Sequence, residues 1–399
     1  MSFTTPLQGI KVLDVSRILA GPWAGQMLAD LGADVIKVER PGAGDDTRSW
    51  GPPYMPTTAG FEDGEDREAA YFQTANRGKR SICVDMSQAE GQDIIKQLAA
   101  KADVLIENFK VGGLAKYGLD YASLSALNPR LIYCSITGFG QTGPYKDRAG
   151  YDFMIQAMGG LMSVTGDADG EPMKVGVALA DVMTGLYASN AIQGALIHQL
   201  RTGQGQHIDL ALLDVQVATL ANQAMNYLAT GNNPERLGNS HPNIVPYQAF
   251  ATLDGHLILA VGNDGQFQRF CQVAGQAELA HQADYATNSL RVANRTTLVP
   301  KVIALMLQQT TDWWLAKLNE VGVPCGPICT IDQVFDNPQI QARNMQLELN
   351  HATLGKVASV ANPIKYSATP IQYTQAPPTL GQHTREVLHD WLGIEAGEG

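Results

Sequence analysis

The feature that most constrains this sequence is the alternation at its start. Residues 10–15 form an apolar, β-branched run, residues 16–22 read as a turn, residues 23–31 carry helical periodicity, and residues 34–38 form a second strand pattern. A strand, a helix and a strand spaced this closely fit a βαβ unit, and the parallel sheet it implies needs helices packed on its faces. The rhythm continues with a strand at 81–84, Ser87 and Glu90 as a capping box opening a helix through Ala100, and strands at 104–107 and 131–136. The expected fold class is α/β, with a Rossmann-like large domain built on a parallel sheet.

Further on the pattern changes. Val182, Leu186, Ile192, Leu196 and Leu200 predict an apolar stripe on a helix over residues 180–200 that stops at Thr202 and Gly203. Strand patterns at 247–252 and 256–261 flank Leu253-Asp254-Gly255, which predicts a hairpin and the opening of a smaller α+β domain. Helical stretches are expected at 266–273 and 297–321, breaks at 322–327 and at Asn337-Pro338, and a last helix at 384–392. The resulting division is a large domain over 1–220 and a small one over 221–329.

Composition narrows the function classes. A net charge of -11 opposes a nucleic-acid partner, because phosphates select basic surfaces. With no apolar run of spanning length and no secretion pattern, the expectation is a soluble, cytoplasmic chain without a membrane partner. Five scattered cysteines predict reduced thiols, and Cys325 and Cys329 alone make a poor zinc site, so no metal is expected.

The first turn, Ser16-Arg17-Ile18-Leu19-Ala20-Gly21, lacks the glycine spacing that cradles a dinucleotide, which argues against nicotinamide or flavin. Arg17, Lys37, Arg40, Lys79 and Arg80 are candidate phosphate ligands, or solvated surface charges. Asp181 stands where a helix should begin, so its plainest role is an N-cap. A carboxylate there would stay ionised and could attack a thioester. His241 lies in a polar loop, the residues around Gly262 form either a mobile loop or an ordinary turn, and no G-x-S-x-G motif supports a serine triad.

Ordered motifs then add a resemblance. Leu7-Gln8-Gly9-Ile10-Lys11-Val12-Leu13-Asp14, Ala20-Gly21-Pro22, Leu31-Gly32-Ala33-Asp34-Val35-Ile36-Lys37-Val38-Glu39 and Asn76-Arg77-Gly78-Lys79-Arg80-Ser81 resemble the class III CoA-transferase and racemase family. So do Glu107-Asn108-Phe109, Thr202-Gly203-Gln204-Gly205-Gln206 and Leu380-Gly381-Gln382-His383-Thr384. The resemblance implies Asp181 as catalytic nucleophile, replacing the capping role. It implies CoA contacts at Leu19, Ala20, Arg40, Val84, Asp85, Met86, Ser87, Asn108, Phe109, Lys110, Lys116, Ala149, Gly150, Tyr151 and Asp152. It also implies an interlocked, ring-like homodimer and a return of residues 330–399 to the large domain.

Within that family, Tyr151 stands where racemases have histidine, which favours the transferase branch. Arg17 and Leu19 stand where formyl-CoA transferase has histidine and glutamine, which argues against oxalate. The expected reaction is transfer of CoA from an acyl-CoA, succinyl-CoA the foremost candidate, to a small dicarboxylic acid. It would pass through aspartyl anhydride and aspartyl-CoA intermediates, with Arg17 reading the distal carboxylate and Gly262 in a lid. The alternatives are an α-methylacyl-CoA racemase or epimerase, a formyl-CoA:oxalate or carnitine-type transferase, and a noncatalytic CoA-binding protein.

Overall fold

The computed structural model describes residues 4–56 and 67–394. They divide into two compact units. The first comprises Met1–Leu161, Lys174–Ala224 and Pro338–Gly399, the second Met162–Met173 and Met225–Asn337.

In the first unit six strands form one sheet. They are β1 (Lys11–Asp14), β2 (Asp34–Glu39), β3 (Lys79–Cys83), β4 (Val104–Glu107), β5 (Ile132–Thr137) and β6 (His207–Ala211). Their order is β3-β2-β1-β4-β5-β6 and each neighbouring pair is parallel. Strand order reverses between β1 and β4, so the loops leaving those two strands part and open a crevice at their C-terminal ends. Side-chain alternation sends Val12 to one face, against α1 (Ala20–Asp30) and the helix Leu179–Thr202. Leu13 goes to the other, against the helices Ala89–Ala99 and Thr384–Leu392.

The chain's end is tied to β3. The His383 N–H donates to the Ser81 carbonyl, and Arg80 binds Glu386 and Asp390 at 2.9 Å each. An antiparallel pair, Gln346–His351 with Gly355–Val360, has no counterpart in the sequence reading. Ser87 does not cap a helix: its N–H and hydroxyl both turn back onto Asp85 Oδ1, at 2.9 and 2.7 Å, and the helix starts later, at Ala89.

The long helix spans the expected residues, but its buried face is not the expected stripe. Ala180, Thr184, Gly185, Ala188, Ile192, Ala195 and Leu196 are buried, whereas Leu186 and Leu200 are exposed. Small residues prevail because α1 lies very close. A Cβ added at Gly185 would stand 2.8 Å from the Ala20 carbonyl oxygen and 2.9 Å from Trp23 Cβ.

The second unit carries a three-stranded antiparallel sheet of β7 (Tyr247–Ala251), β8 (His256–Ala260) and β9 (Cys325–Pro327). The hairpin at Leu253-Asp254-Gly255 is present, with Ala251 opposite His256. Phe250, Leu257, Leu259, Phe267, Phe270 and Trp314 share its core. The stretch 297–321 is two helices, Arg295–Met306 and Thr311–Glu320, rather than one. Thr310 is extended and its hydroxyl caps the Trp313 N–H, while Asp254 Oδ1 accepts from the Thr311 N–H at 2.8 Å. Among the described residues, no helix is long and apolar enough to cross a membrane.

Gly185→Val should therefore push α1 off the long helix and lower stability by about 1–3 kcal/mol. A denaturant midpoint unchanged from wild type would show that this approach is not tight.

Candidate active site

The site begins with a buried charge network beneath the first βα turn. β1 ends at Asp14, whose Oδ2 accepts from Lys79 Nζ at 2.9 Å. Its Oδ1 accepts from both the N–H and the hydroxyl of Ser16. Lys79 spends its other donors on the Pro22 carbonyl at 2.8 Å and Asn76 Oδ1 at 2.9 Å. From β2, Lys37 donates to the Ser16 carbonyl at 3.1 Å and to Asp45 Oδ2 at 2.8 Å. All four charged side chains are sealed from solvent. Burial pushes Asp45 up, but Lys37 and the Thr47 donors outweigh it and hold the carboxyl at about 2.

This network corrects one expectation. Lys37 and Lys79 are not free phosphate ligands, because their donors are committed inside the fold. Arg80 is likewise committed, to Asp34, Glu386 and Asp390. Arg17 and Arg40 remain at the crevice, each held on Asp46, at 3.0 and 3.1 Å. Asp45 also accepts from the Ile18 N–H at 3.2 Å, which helps to hold Ile18 at φ +72°, a conformation β-branched residues rarely adopt.

A cavity of about 550 Å³ lies at the switch point. Arg17, Leu19 and Ala20 line it from the first turn, Arg40 from the end of β2, and Val84, Asp85, Met86 and Ser87 from the end of β3. Asn108, Phe109, Lys110 and Lys116 follow β4, and Ala149, Gly150 and Tyr151 complete the wall with Asp181. Asn108 ties the two sides of the crevice: its Nδ2 donates to the Arg17 carbonyl at 2.7 Å and its Oδ1 accepts from the Arg17 N–H at 2.9 Å. Gly150 packs so close to Gly138 that a Cβ on either would come within 2.5 Å of the other's Cα. Lys146 and Arg148 line the same cavity and were not anticipated. The short basic run Lys146-Asp147-Arg148 in the loop after β5 was the available signal.

Asp152, expected among the CoA contacts, has its side chain engaged within the fold. Its Oδ1 accepts from the N–H groups of Ala180 and Asp181, at 2.8 and 3.3 Å, and its Oδ2 from Gln156 Nε2 at 2.7 Å. Residue 178, at the helix's own cap position, is alanine and offers no acceptor side chain, so Asp152 supplies the cap from a neighbouring helix. Asp181 is consequently not the N-cap but the third helical residue. Its carboxylate accepts no hydrogen bond from a described residue, while it faces the cavity. Burial first, and the charge of Asp152 second, push it up to about 7, so the expected fully ionised carboxylate gives way to one that titrates near neutrality. Once deprotonated, so basic a carboxylate is also the stronger nucleophile.

The other candidates lie in the second unit. The Gly262 N–H donates to Gln266 Oε1 at 2.7 Å and Asn263 Oδ1 caps the Gln266 N–H, so this stretch opens the helix Asp264–Val273. His241 Nδ1 accepts from the Asn243 N–H at 3.0 Å, and burial together with Arg295 lowers its pKa, which fits a loop-bracing role.

The family model described as CoA-transferase family III matches residues 7–384. The chain belongs to this family. A succinate–glutarate CoA-transferase of Agrobacterium fabrum is 54% identical over 98% of this chain and 96% of its own length. A mouse succinyl-CoA:glutarate CoA-transferase is 45% identical over 98% of this chain and 88% of its own. The crystal structure of a CaiB/BaiF family protein from Brucella suis superposes with a TM-score of 0.84 at 53% identity, covering 98% of this chain and all of that one. The protein is thus a family III CoA-transferase, as its motifs implied, and not a noncatalytic scaffold.

The raised Asp181 pKa makes a stability prediction for this transferase. A carboxyl whose folded pKa lies above its unfolded value costs stability as pH rises through the folded value. Asp181→Asn cannot ionise, so its melting temperature should gain on wild type between pH 5 and pH 8. A difference that stays constant with pH would place Asp181 in the ordinary carboxylate range.

Proposed function

We propose that this enzyme moves CoA from succinyl-CoA to a second small dicarboxylate, glutarate being the first acceptor to test, with Asp181 as nucleophile. The observation that carries the reading is a basic carboxylate without a hydrogen-bond donor among the described residues, at a cavity that also holds Arg17 and a set of cations. The names of the similar transferases support the choice of acids.

In the proposed sequence, an Asp181 oxygen attacks the thioester carbonyl carbon, the C–S bond breaks, and CoA leaves as thiolate with a mixed anhydride on Asp181. The thiolate attacks the Asp181 carbonyl, the first acid departs as carboxylate, and aspartyl-CoA remains. The acceptor carboxylate attacks that thioester and expels the thiolate, which then attacks the acceptor's acyl carbon and restores the Asp181 carboxylate. No net proton is consumed. Arg40, Lys110 and Lys116 are assigned to the CoA phosphates, Leu19, Ala20 and residues 84–87 to its less polar parts, and Tyr151 to a hydrogen bond with the acyl oxygen. Arg17 is assigned to the distal carboxylate of the acyl group.

A homodimer belongs to the same proposal. Phe153, Val177, Leu186, Tyr187, Ile197 and Leu200 of the first unit expose large apolar surfaces, which supports burial against a second copy; interlocking rests on family resemblance. Unpaired cysteines suit the reducing, cytoplasmic setting proposed for it.

Initial rates with succinyl-CoA and glutarate should give the parallel lines of a double-displacement reaction, and Asp181→Ala should lose about 10⁴-fold or more in kcat. Activity should rise with pH through about 7 as Asp181 loses its proton. Uptake of solvent deuterium at the α-carbon of an acyl-CoA, without need of an acceptor acid, would instead establish a racemase.

A further inference from the structure

We infer that Asp46 determines the enzyme's selectivity for dicarboxylic acids by holding the Arg17 guanidinium in place at the cavity. The inference rests on the proposed role of Arg17 toward a distal carboxylate. Asp46 Oδ2 takes Arg17 Nη1 at 3.0 Å, and its Oδ1 takes Arg40 Nη2 at 3.1 Å. One carboxylate therefore serves two guanidinium groups, leaving one positive charge unbalanced among the three. Asp46 is well anchored. It opens the short helical turn Asp46–Ser49, which is capped by Asp45, itself locked on Lys37. Its own carbonyl accepts from the Ser49 hydroxyl at 2.8 Å.

Nη1 is held in this way, and Arg17 lies over the Phe109 ring at 5.4 Å. Nε is buried without a partner and out of reach of a ligand, which leaves Nη2, without a partner among the described residues, to donate to a substrate carboxylate. An unpaired, partly desolvated charge is costly to leave so, and a substrate carboxylate satisfies it. A monocarboxylic chain would cover the same group and pair with nothing, which is how a polar site rejects an analogue lacking the polar group. Arg40, on the other oxygen, is held by the same anchor at the end assigned to CoA. Asp46 is thus a positioning residue and touches no reacting atom.

The test compares glutarate with valerate as acceptor at saturating succinyl-CoA, in wild type, Asp46→Ala, Asp46→Asn, Arg17→Gln and the double variant D46A/R17Q, with folding checked by circular dichroism. Asp46→Ala should raise the KM for glutarate about tenfold, with kcat and the KM for valerate unchanged. Asp46→Asn should match or undercut the wild-type KM, because the amide oxygen still accepts from Nη1 while a like charge is gone. In the Arg17→Gln background Asp46→Ala should add nothing. Equal losses for both acids, equal losses in Asp46→Ala and Asp46→Asn, or an effect that persists in the Arg17→Gln background would overturn the role of Asp46. Wild type accepting valerate as readily as glutarate would remove the dicarboxylate reading itself. A wild-type preference for glutarate that survives Asp46→Ala would sink only the present inference.

Discussion

The rest of the site depends on the two buried ion pairs under the first βα turn, Lys79 with Asp14 and Lys37 with Asp45. Parallel strands seldom bury charges, because each ion loses its water. Here nearly every donor and acceptor finds a partner, and both pairs reach Ser16, the residue where β1 gives way to the turn. Removing one partner of such a pair costs about 3–5 kcal/mol, far more than a surface ion pair supplies. What the network secures is local geometry: Ile18 is held at positive φ, and Leu19 and Ala20 become part of the cavity wall. A glycine-rich turn would bring a helix N-terminus to a pyrophosphate. This turn is instead rigidified from below, and apart from its own Arg17 the cations that line the cavity come from elsewhere in the unit.

Two carboxylates at the start of the long helix show how surroundings divide labour between like groups. Asp152 receives backbone N–H groups and a glutamine amide, so both its oxygens are occupied, one of them with capping. Asp181 receives no hydrogen bond from the described residues, and burial first and Asp152 second make it basic. The helix end is thereby satisfied without engaging the side chain that faces the cavity. Gly185, one turn further on, lets α1 and the long helix close up, which brings Asp181 and the first turn to the same cavity.

Much of this was legible in the sequence. β1, β2, β4 and β5 are short β-branched runs between turn residues, and the structure places each within a residue or so of its expected bounds. β6 escaped notice because it is an edge strand, His207-Ile208-Asp209-Leu210-Ala211, with polar residues facing outward. The long helix was found, and Ile192 and Leu196 of its expected stripe are buried, but the rest of the buried face was missed, since a helix packed tightly on another uses glycine and alanine where periodicity looks for leucine. For the site, spacing could not choose between cap and nucleophile at Asp181; only the ordered motifs pointed to the second. Lys37 and Lys79 looked like ligands because a sequence does not display which carboxylate waits beneath a strand end. Asp152 was placed among the CoA contacts for the same reason: its partners, the N–H groups of residues 180 and 181, lie nearly thirty positions away.

The proposed chemistry runs through covalent acyl and CoA intermediates on Asp181. The most direct measurement is mass spectrometry of the protein incubated with succinyl-CoA and then hydroxylamine, with Asp181→Ala alongside. Wild type should carry a hydroxamate on the peptide containing Asp181 and the variant none. Turnover of succinyl-CoA and glutarate with Asp181 left unmodified, or a hydroxamate on another carboxylate, would contradict it.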